Sequence, residues 1–229
     1  MDFQEVSREL KRLGTEQNRK IYGNHGVREP MHGVSFANLK LLKKRIKSDH
    51  ALADRLWASG NHDARILATM IEEPDAVRAI ELERWVRDLD NYVVADAFSS
   101  MVSRTPFAKA KAEKWLGSRK EFIGQAGYNL LCYLAMRDAE LPNSFFLEHL
   151  KRVEGRIDGS ANRVRHAMNQ ALIAIGLRNP ALKRRAIAAA RRIGKVEVDH
   201  GETSCKTPDA VAYIAKVERR RAAKAKSEA

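Results

Sequence analysis

Asp90-Asn91-Tyr92-Val93-Val94-Ala95-Asp96-Ala97-Phe98 reads as a helix with two unlike faces. Val93, Val94, Ala97 and Phe98, continued by Met101 and Val102, fall on one stripe at roughly 100° per residue. Tyr92, Asp96, Ser99 and Ser103 form a narrow polar stripe opposite, with Tyr92 and Asp96 about one turn apart. The apolar stripe requires another helix to cover it. The polar stripe sets a carboxylate beside an aromatic ring on a face directed at solvent or at a ligand.

The same period recurs along the chain. Phe3, Val6, Leu10 and Leu13 step by three and four until Gly14 stops them. The spacing predicts further helices over 36–47, 50–59, 62–72, 75–89, 91–104, 107–117, 120–137, 143–157, 161–177, 181–193 and 208–226. Lys195-Val196-Glu197-Val198-Asp199 is the one short strand candidate. Pro74, Pro106, Pro142, Pro180 and Pro208 lie near helix starts, where a missing N–H is harmless. Their intervals of 32, 36, 38 and 28 residues approach the length of a two-helix repeat. Such a pair buries too little apolar surface alone and must stack on its neighbours. The expectation is an all-α solenoid of about five to six helical pairs forming a single domain over 1–229, by repeat-length arithmetic. An irregular polar loop is expected at 195–207, followed by a C-terminal helix with a basic tail over 208–229.

Composition narrows the partner. The chain has 229 residues, 44% of them hydrophobic, enough for a sizeable core. Lys and Arg number 42 against 29 Asp and Glu, a net charge of +13 that favours polyanions, nucleic acid before membrane. The charge is uneven: residues 183–229 carry a net +7, whereas residues 72–96 carry −5. Cys132 and Cys205 are too few for a disulfide framework, and the start lacks the basic and apolar regions of a signal peptide. No apolar run approaches the length of a membrane span. These features predict a cytoplasmic protein without a membrane anchor, and a monomer is the expectation.

Several side chains are candidate nucleic-acid contacts. Lys40, Lys43, Lys44 and Lys47 share one face of the helix predicted over 36–47, opposite Leu39, Leu42 and Ile46. In the helix predicted over 161–177, Val164, Met168, Ala171, Leu172 and Ile175 point to the core. Asn162, Arg163, His166, Asn169 and Gln170 point away, and Arg163, Arg165 and His166 are candidate phosphate contacts. Gln125 shares a helix face with Tyr128 and Cys132 and offers an amide donor. The loop Asp199-His200-Gly201-Glu202-Thr203-Ser204-Cys205 contains metal-ligand types, but its spacing matches no closed zinc pattern. No metal or other cofactor is expected. The loop is expected to dock the terminal helix by side-chain-to-backbone hydrogen bonds, with Thr207-Pro208 as the N-cap and first helical residue.

In this order and spacing, the chain resembles the AlkD-like DNA alkylation repair family of HEAT-like repeat DNA glycosylases. The carriers are the Gly33-Val34 turn before helix 36–47, the Asp90-Asn91-Tyr92…Asp96 segment, the helix around Gln125, and the helix 161–177 ending at Asn179-Pro180. The resemblance implies a HEAT-like α-solenoid and a double-stranded, alkylated DNA substrate. It also implies hydrolysis of the N-glycosidic bond of cationic N3- or N7-alkylpurines. Such a base leaves neutral, so no general acid is required. A carboxylate that stabilises the oxocarbenium-like sugar and positions water suffices. By position, Asp96 matches the family's catalytic aspartate and Tyr92 the first of two tryptophans flanking the lesion. Gln170 stands at the second tryptophan, Gln125 at a phosphate-holding arginine, and Ser35 at a glutamine facing DNA. Two alternatives to a glycosylase stay open: a non-catalytic DNA binder on the same scaffold, and a protein-interaction scaffold whose basic surface meets an acidic partner.

Overall fold

The structure is a computed structural model and describes residues 1–227; the last two positions of the expected basic tail lie outside the described residues. Thirteen α-helices run in order among them: α1 (Phe3–Leu13), α2 (Glu16–Asn24), α3 (Phe36–Ile46), α4 (His50–Ala58), α5 (His62–Ile71), α6 (Ala79–Trp85), α7 (Tyr92–Val102), α8 (Ala108–Trp115), α9 (Glu121–Arg137), α10 (Asn143–Arg156), α11 (Asn162–Gly176), α12 (Pro180–Ile193) and α13 (Ala210–Ser227). The fold is a HEAT-like helical repeat, as the sequence predicts. The backbone packs as two compact units, Met1–Ala108 with His200–Ser204, and Lys109–Asp199 with Cys205 onward. No described helix is long and apolar enough to cross a membrane.

Helix starts are set by side-chain caps. Thr15, Ser35, Asp49, Asn61, Asn91 and Asn179 each accept the amide three residues on, satisfying one of the orphan donors of the first turn. Ser35 is therefore occupied structurally, its Oγ accepting the Asn38 N–H at 3.2 Å. The periodicity misses α2, because only Tyr22 of that helix is buried. The helix expected over 75–89 shortens to α6 plus a 3-10 turn at Val86–Asp88. It starts late because the Glu81 carboxylate takes the Arg78 N–H at 2.7 Å and caps the chain there. The last helix begins at Ala210, where Asp209 Oδ1 accepts the Ala212 N–H at 2.7 Å, so Asp209 replaces Thr207 as the cap. Lys195–Asp199 forms no strand. Instead the Asn162 side-chain amide pairs with the Asp199 backbone, donating at 2.7 Å and accepting at 2.8 Å.

The first unit is organised around Asp63, which is completely buried. Its carboxylate accepts three consecutive amides, His32 at 2.6 Å, Gly33 at 3.0 Å and Val34 at 2.8 Å. Gly33 sits at φ 78, and a Cβ there would meet the Thr15 carbonyl at 2.5 Å, so only glycine fits. The same turn receives Tyr22, whose hydroxyl donates to the Val34 carbonyl at 2.5 Å. Burial, with the charge of Asp63 adding to it, pushes the Tyr22 phenol up to about 12. Nearby, Trp57 and Trp85 stack at 4.4 Å and 4°. Both are buried, yet their N–H groups are satisfied: Trp57 donates to Asp88 at 2.9 Å and Trp85 to Asp54 at 3.1 Å.

In the second unit α9 packs along α11, and α10 along α12. A Cβ on Gly127 would meet the Leu116 nitrogen at 2.5 Å, so this glycine lets α9 cross the end of α8. The repeat is visible as register. Lys109 lies 5.8 Å from the Phe145 ring centroid, 36 residues on. Arg192 Nη2 donates to Glu154 at 2.9 Å across a separation of 38. These equal the intervals Pro106–Pro142 and Pro142–Pro180.

The buried carboxylates of the first unit can be tested through stability. Asp63→Ala leaves three amides without their charged acceptor and should cost about 3–5 kcal/mol; an unchanged urea midpoint would refute the role assigned to Asp63. A second test concerns His50, whose Nδ1 lies 2.8 Å from Glu72. The Glu72 hydrogen bond raises the His50 pKa above 6.5, and burial raises that of Glu72. Both shifts mean that the folded state holds protons more tightly. The His50 contribution is therefore complete below about pH 6.5 and lost as pH rises through the raised value. The stability advantage of wild type over His50→Ala should shrink as pH rises above about 6.5; a difference that grows with pH would overturn this.

Candidate nucleic-acid interface

Helix α7 is fixed at its start by Asn91, whose Oδ1 accepts the Val94 N–H at 3.0 Å and whose Nδ2 donates to Asp90 at 2.7 Å. The cap sets the phase of everything after it. Val94, Phe98, Met101 and Val102 are buried, and Val93 packs on the cluster of Tyr22, Val27 and Met31. Asp96 is exposed and Tyr92 half-buried. One member of the expected polar stripe is displaced: Ser99 is completely buried. Its hydroxyl donates to the Ala95 carbonyl at 2.7 Å, which satisfies it inside the core.

Tyr92 has a neighbour that no sequence pattern indicates. His25, at the C-cap of α2, hydrogen-bonds the Tyr92 hydroxyl through Nδ1, and the two rings lie 5.9 Å apart at 58°. They stand 67 positions apart in the sequence, so no local periodicity could connect the pair. The ring one turn before Asp96 is thereby held in one orientation. The loop His200–Ser204 belongs to this unit. At Gly201, φ is +63 and a Cβ would lie 3.1 Å from the Asn24 carbonyl, so the loop approaches the end of α2. The segment before α13 is held from α11, where Asn169 Nδ2 donates to the Pro208 carbonyl at 2.9 Å.

Lys40, Lys43, Lys44 and Lys47 are all exposed. The first three lie on α3, and Lys47 follows it at φ 70. No ion pair joins any of the four to a carboxylate among the described residues. Their neighbour Arg45 is engaged differently, bound with Arg12 to Glu9 at 3.2 and 3.0 Å. The face thus presents four uncompensated ammonium groups.

On α11, Arg163, Arg165, His166 and Gln170 are half-buried. The start of this helix is already supplied with an anion, since Glu121 accepts the Arg163 N–H at 2.7 Å. Asn169, expected on the outer face, is buried at 2% exposure because its amide holds Pro208. Gln125 is also buried, at 3% exposure, alongside Tyr128. Direct phosphate contact by Gln125 is therefore replaced by an interior position. A neutral amide suits it, since a guanidinium there would carry the desolvation cost of a buried charge. Among the described residues, no three His, Cys, Asp or Glu side chains gather as a metal centre requires.

The His25–Tyr92 pair can be tested directly. Tyr92→Phe keeps the ring, removes the hydroxyl and should cost about 1 kcal/mol. Adding His25→Ala should cost less in that background than in wild type. Fully additive costs in the double-mutant cycle would show that the pair does not interact.

Residues 6–214 match the family described as DNA alkylation repair enzyme. The chain is 31% identical to the uncharacterized protein Lin0241 of Listeria innocua, over 95% of this chain and 98% of the relative. It is 29% identical to the uncharacterized protein Lmo0209 of Listeria monocytogenes, with the same coverage of 95% and 98%. A solved structure superposes with a TM-score of 0.88 at 31% identity, covering 96% of this chain and 95% of the other. That structure represents a new family of proteins related to the HEAT-like repeat DNA glycosylases with affinity for branched DNA structures. With a match that spans nearly its whole length and carries the same helical repeat, this chain belongs to the DNA alkylation repair enzyme family.

Proposed function

We propose that this protein binds DNA through the lysine face of α3 and recognises branched or otherwise distorted duplexes without excising a base, acting as a monomer in the cytoplasm. The observation that carries the reading is the set of four exposed lysines without carboxylate partners, beside arginines already committed to Glu9. Free ammonium groups at helical spacing release counterions when they meet phosphates, which drives binding independently of base sequence. The affinity for branched DNA in the superposing structure supports the choice of ligand. The residues at the family's excision positions support the absence of chemistry. Gln170 has no aromatic face for a cationic base, and cation–π attraction worth about 0.5–2 kcal/mol is missing there. Gln125 is buried and uncharged.

A second reading rests on a specific feature. Asp96 is exposed one turn after Tyr92, at the position that the resemblance assigns to the family's catalytic aspartate. In that reading the protein is a glycosylase releasing cationic N3- or N7-alkylpurines, and Asp96→Asn abolishes release while leaving binding intact.

One pair of measurements separates the two. A four-way junction and a linear duplex of equal length are titrated across salt concentrations, and single-turnover base release is followed from a duplex carrying 7-methylguanine. The junction should bind more tightly, with no release above background. Each of the four lysines replaced by alanine should lower the salt slope by about 0.9 if it touches a phosphate. A slope unchanged in the quadruple variant would exclude the α3 face. Release that disappears in Asp96→Asn would establish the glycosylase instead.

A further inference from the structure

Helices α10 and α12 lie side by side and leave a groove along their line of contact. Its two connected parts have volumes of about 470 and 300 Å³. Every lining residue of α10 belongs to one stripe, Asn143, Leu147, Leu150, Lys151 and Glu154, and those of α12 to the matching stripe from Ala181 to Arg192. From Asn143 to Glu154, at about 1.5 Å per residue, the groove is about 16 Å long. That accommodates about three helical turns or about five extended residues.

The floor and the rim differ in chemistry. Leu147, Leu150, Leu182 and Ala188 form the floor, and Leu147 and Ala188 remain half-exposed. Lys151, Arg184 and Arg185 stand on the rim, all exposed, and no ion pair engages them among the described residues. The one carboxylate in the groove, Glu154, is neutralised by Arg192 at 2.9 Å, so the rim charge is uncompensated. Arg191 adds a further exposed cation on the same helix. This surface is distinct from α3 and α11, and neither the DNA-binding reading nor the excision reading uses it.

We propose that the α10–α12 groove docks an acidic segment of a partner protein that carries large apolar side chains among its carboxylates. The apolar floor decides between a peptide and a second length of DNA. A phosphodiester backbone gains nothing from Leu147 and Ala188, whereas leucine or phenylalanine side chains seated there leave water. The guanidinium groups of Arg184 and Arg185 match carboxylates bidentately. An amphipathic helix or an extended strip laid in a groove is a common way to combine the two contacts. Such a dock would bring another protein to DNA already held elsewhere on the chain.

The test uses the full chain and a fluorescein-labelled aspartate-rich peptide ending in leucine and phenylalanine, read by fluorescence anisotropy. Wild type should bind it. The exposed-site variant Arg184→Glu/Arg185→Glu should weaken binding about tenfold or more, and Ala188→Glu should do the same by filling the floor. A peptide with glycine in place of its leucine and phenylalanine should also bind at least about tenfold more weakly. Circular dichroism checks that both variants fold. Absent binding, or binding indifferent to the charge reversal, overturns the proposal. So does a four-way junction that displaces the peptide and loses affinity in the same variants, which would make the groove a surface for DNA. The lysine-to-alanine salt slopes on α3 report on the DNA-binding reading separately, so each can fail alone.

Discussion

Asp63 holds three successive backbone amides with one buried carboxylate, and the first unit depends on that contact. The segment from Met31 to Val34 has no helix of its own to satisfy its donors, and an unpaired buried amide is costly. A charged acceptor resolves all three at once. The turn so fixed aligns Gly14 against Val34, receives the Tyr22 hydroxyl, and delivers Ser35 to the start of α3. The lysine face is therefore oriented by an aspartate on a different helix. The position of Val93, and with it the phase of α7, is tied to the same cluster through Tyr22 and Met31.

Repetition supplies the rest of the scaffold. Equivalent helices of neighbouring repeats lie side by side, so contacts recur at the repeat length, as between Lys109 and Phe145 or Glu154 and Arg192. Each pair of helices covers the apolar stripe of the next. The polar and charged faces are left over, and the chain has distributed different chemistry on them. α3 shows lysines, α7 a carboxylate beside an immobilised phenol, and α12 arginines over an apolar floor. A scaffold shared across a family can thus keep its architecture while individual side chains change what it does.

Excision of a cationic base asks for aromatic faces and anchoring charge around the carboxylate. At the positions that the resemblance assigns to those groups, this chain has Asp96, Tyr92, Gln125 and Gln170. Burial of Gln125 explains why a neutral residue is tolerated at its place. The proposed binding through phosphates tolerates such changes, because it depends on net positive charge on a surface rather than on the identity of a few groups.

Much of the architecture is legible from periodicity. The stripes of α7 and α11 and the proline intervals are local patterns, and backbone hydrogen bonding within a helix obeys local rules. Those patterns suffice for an all-helical repeat with a basic surface and an exposed Asp96. Where a polar side chain has its partner in the fold rather than in the pattern, periodicity is blind. It puts Asn169 outside because it is polar, and the structure buries it because the Pro208 carbonyl, 39 residues on, accepts its amide. Ser99 is also placed outside, and is buried with its hydroxyl satisfied inside its own helix by the Ala95 carbonyl. Periodicity finds neither α2, with its single buried side chain, nor the contact from His25 to Tyr92. Which polar groups are satisfied inside and which remain for a ligand is settled by packing, because it depends on neighbours tens of residues away.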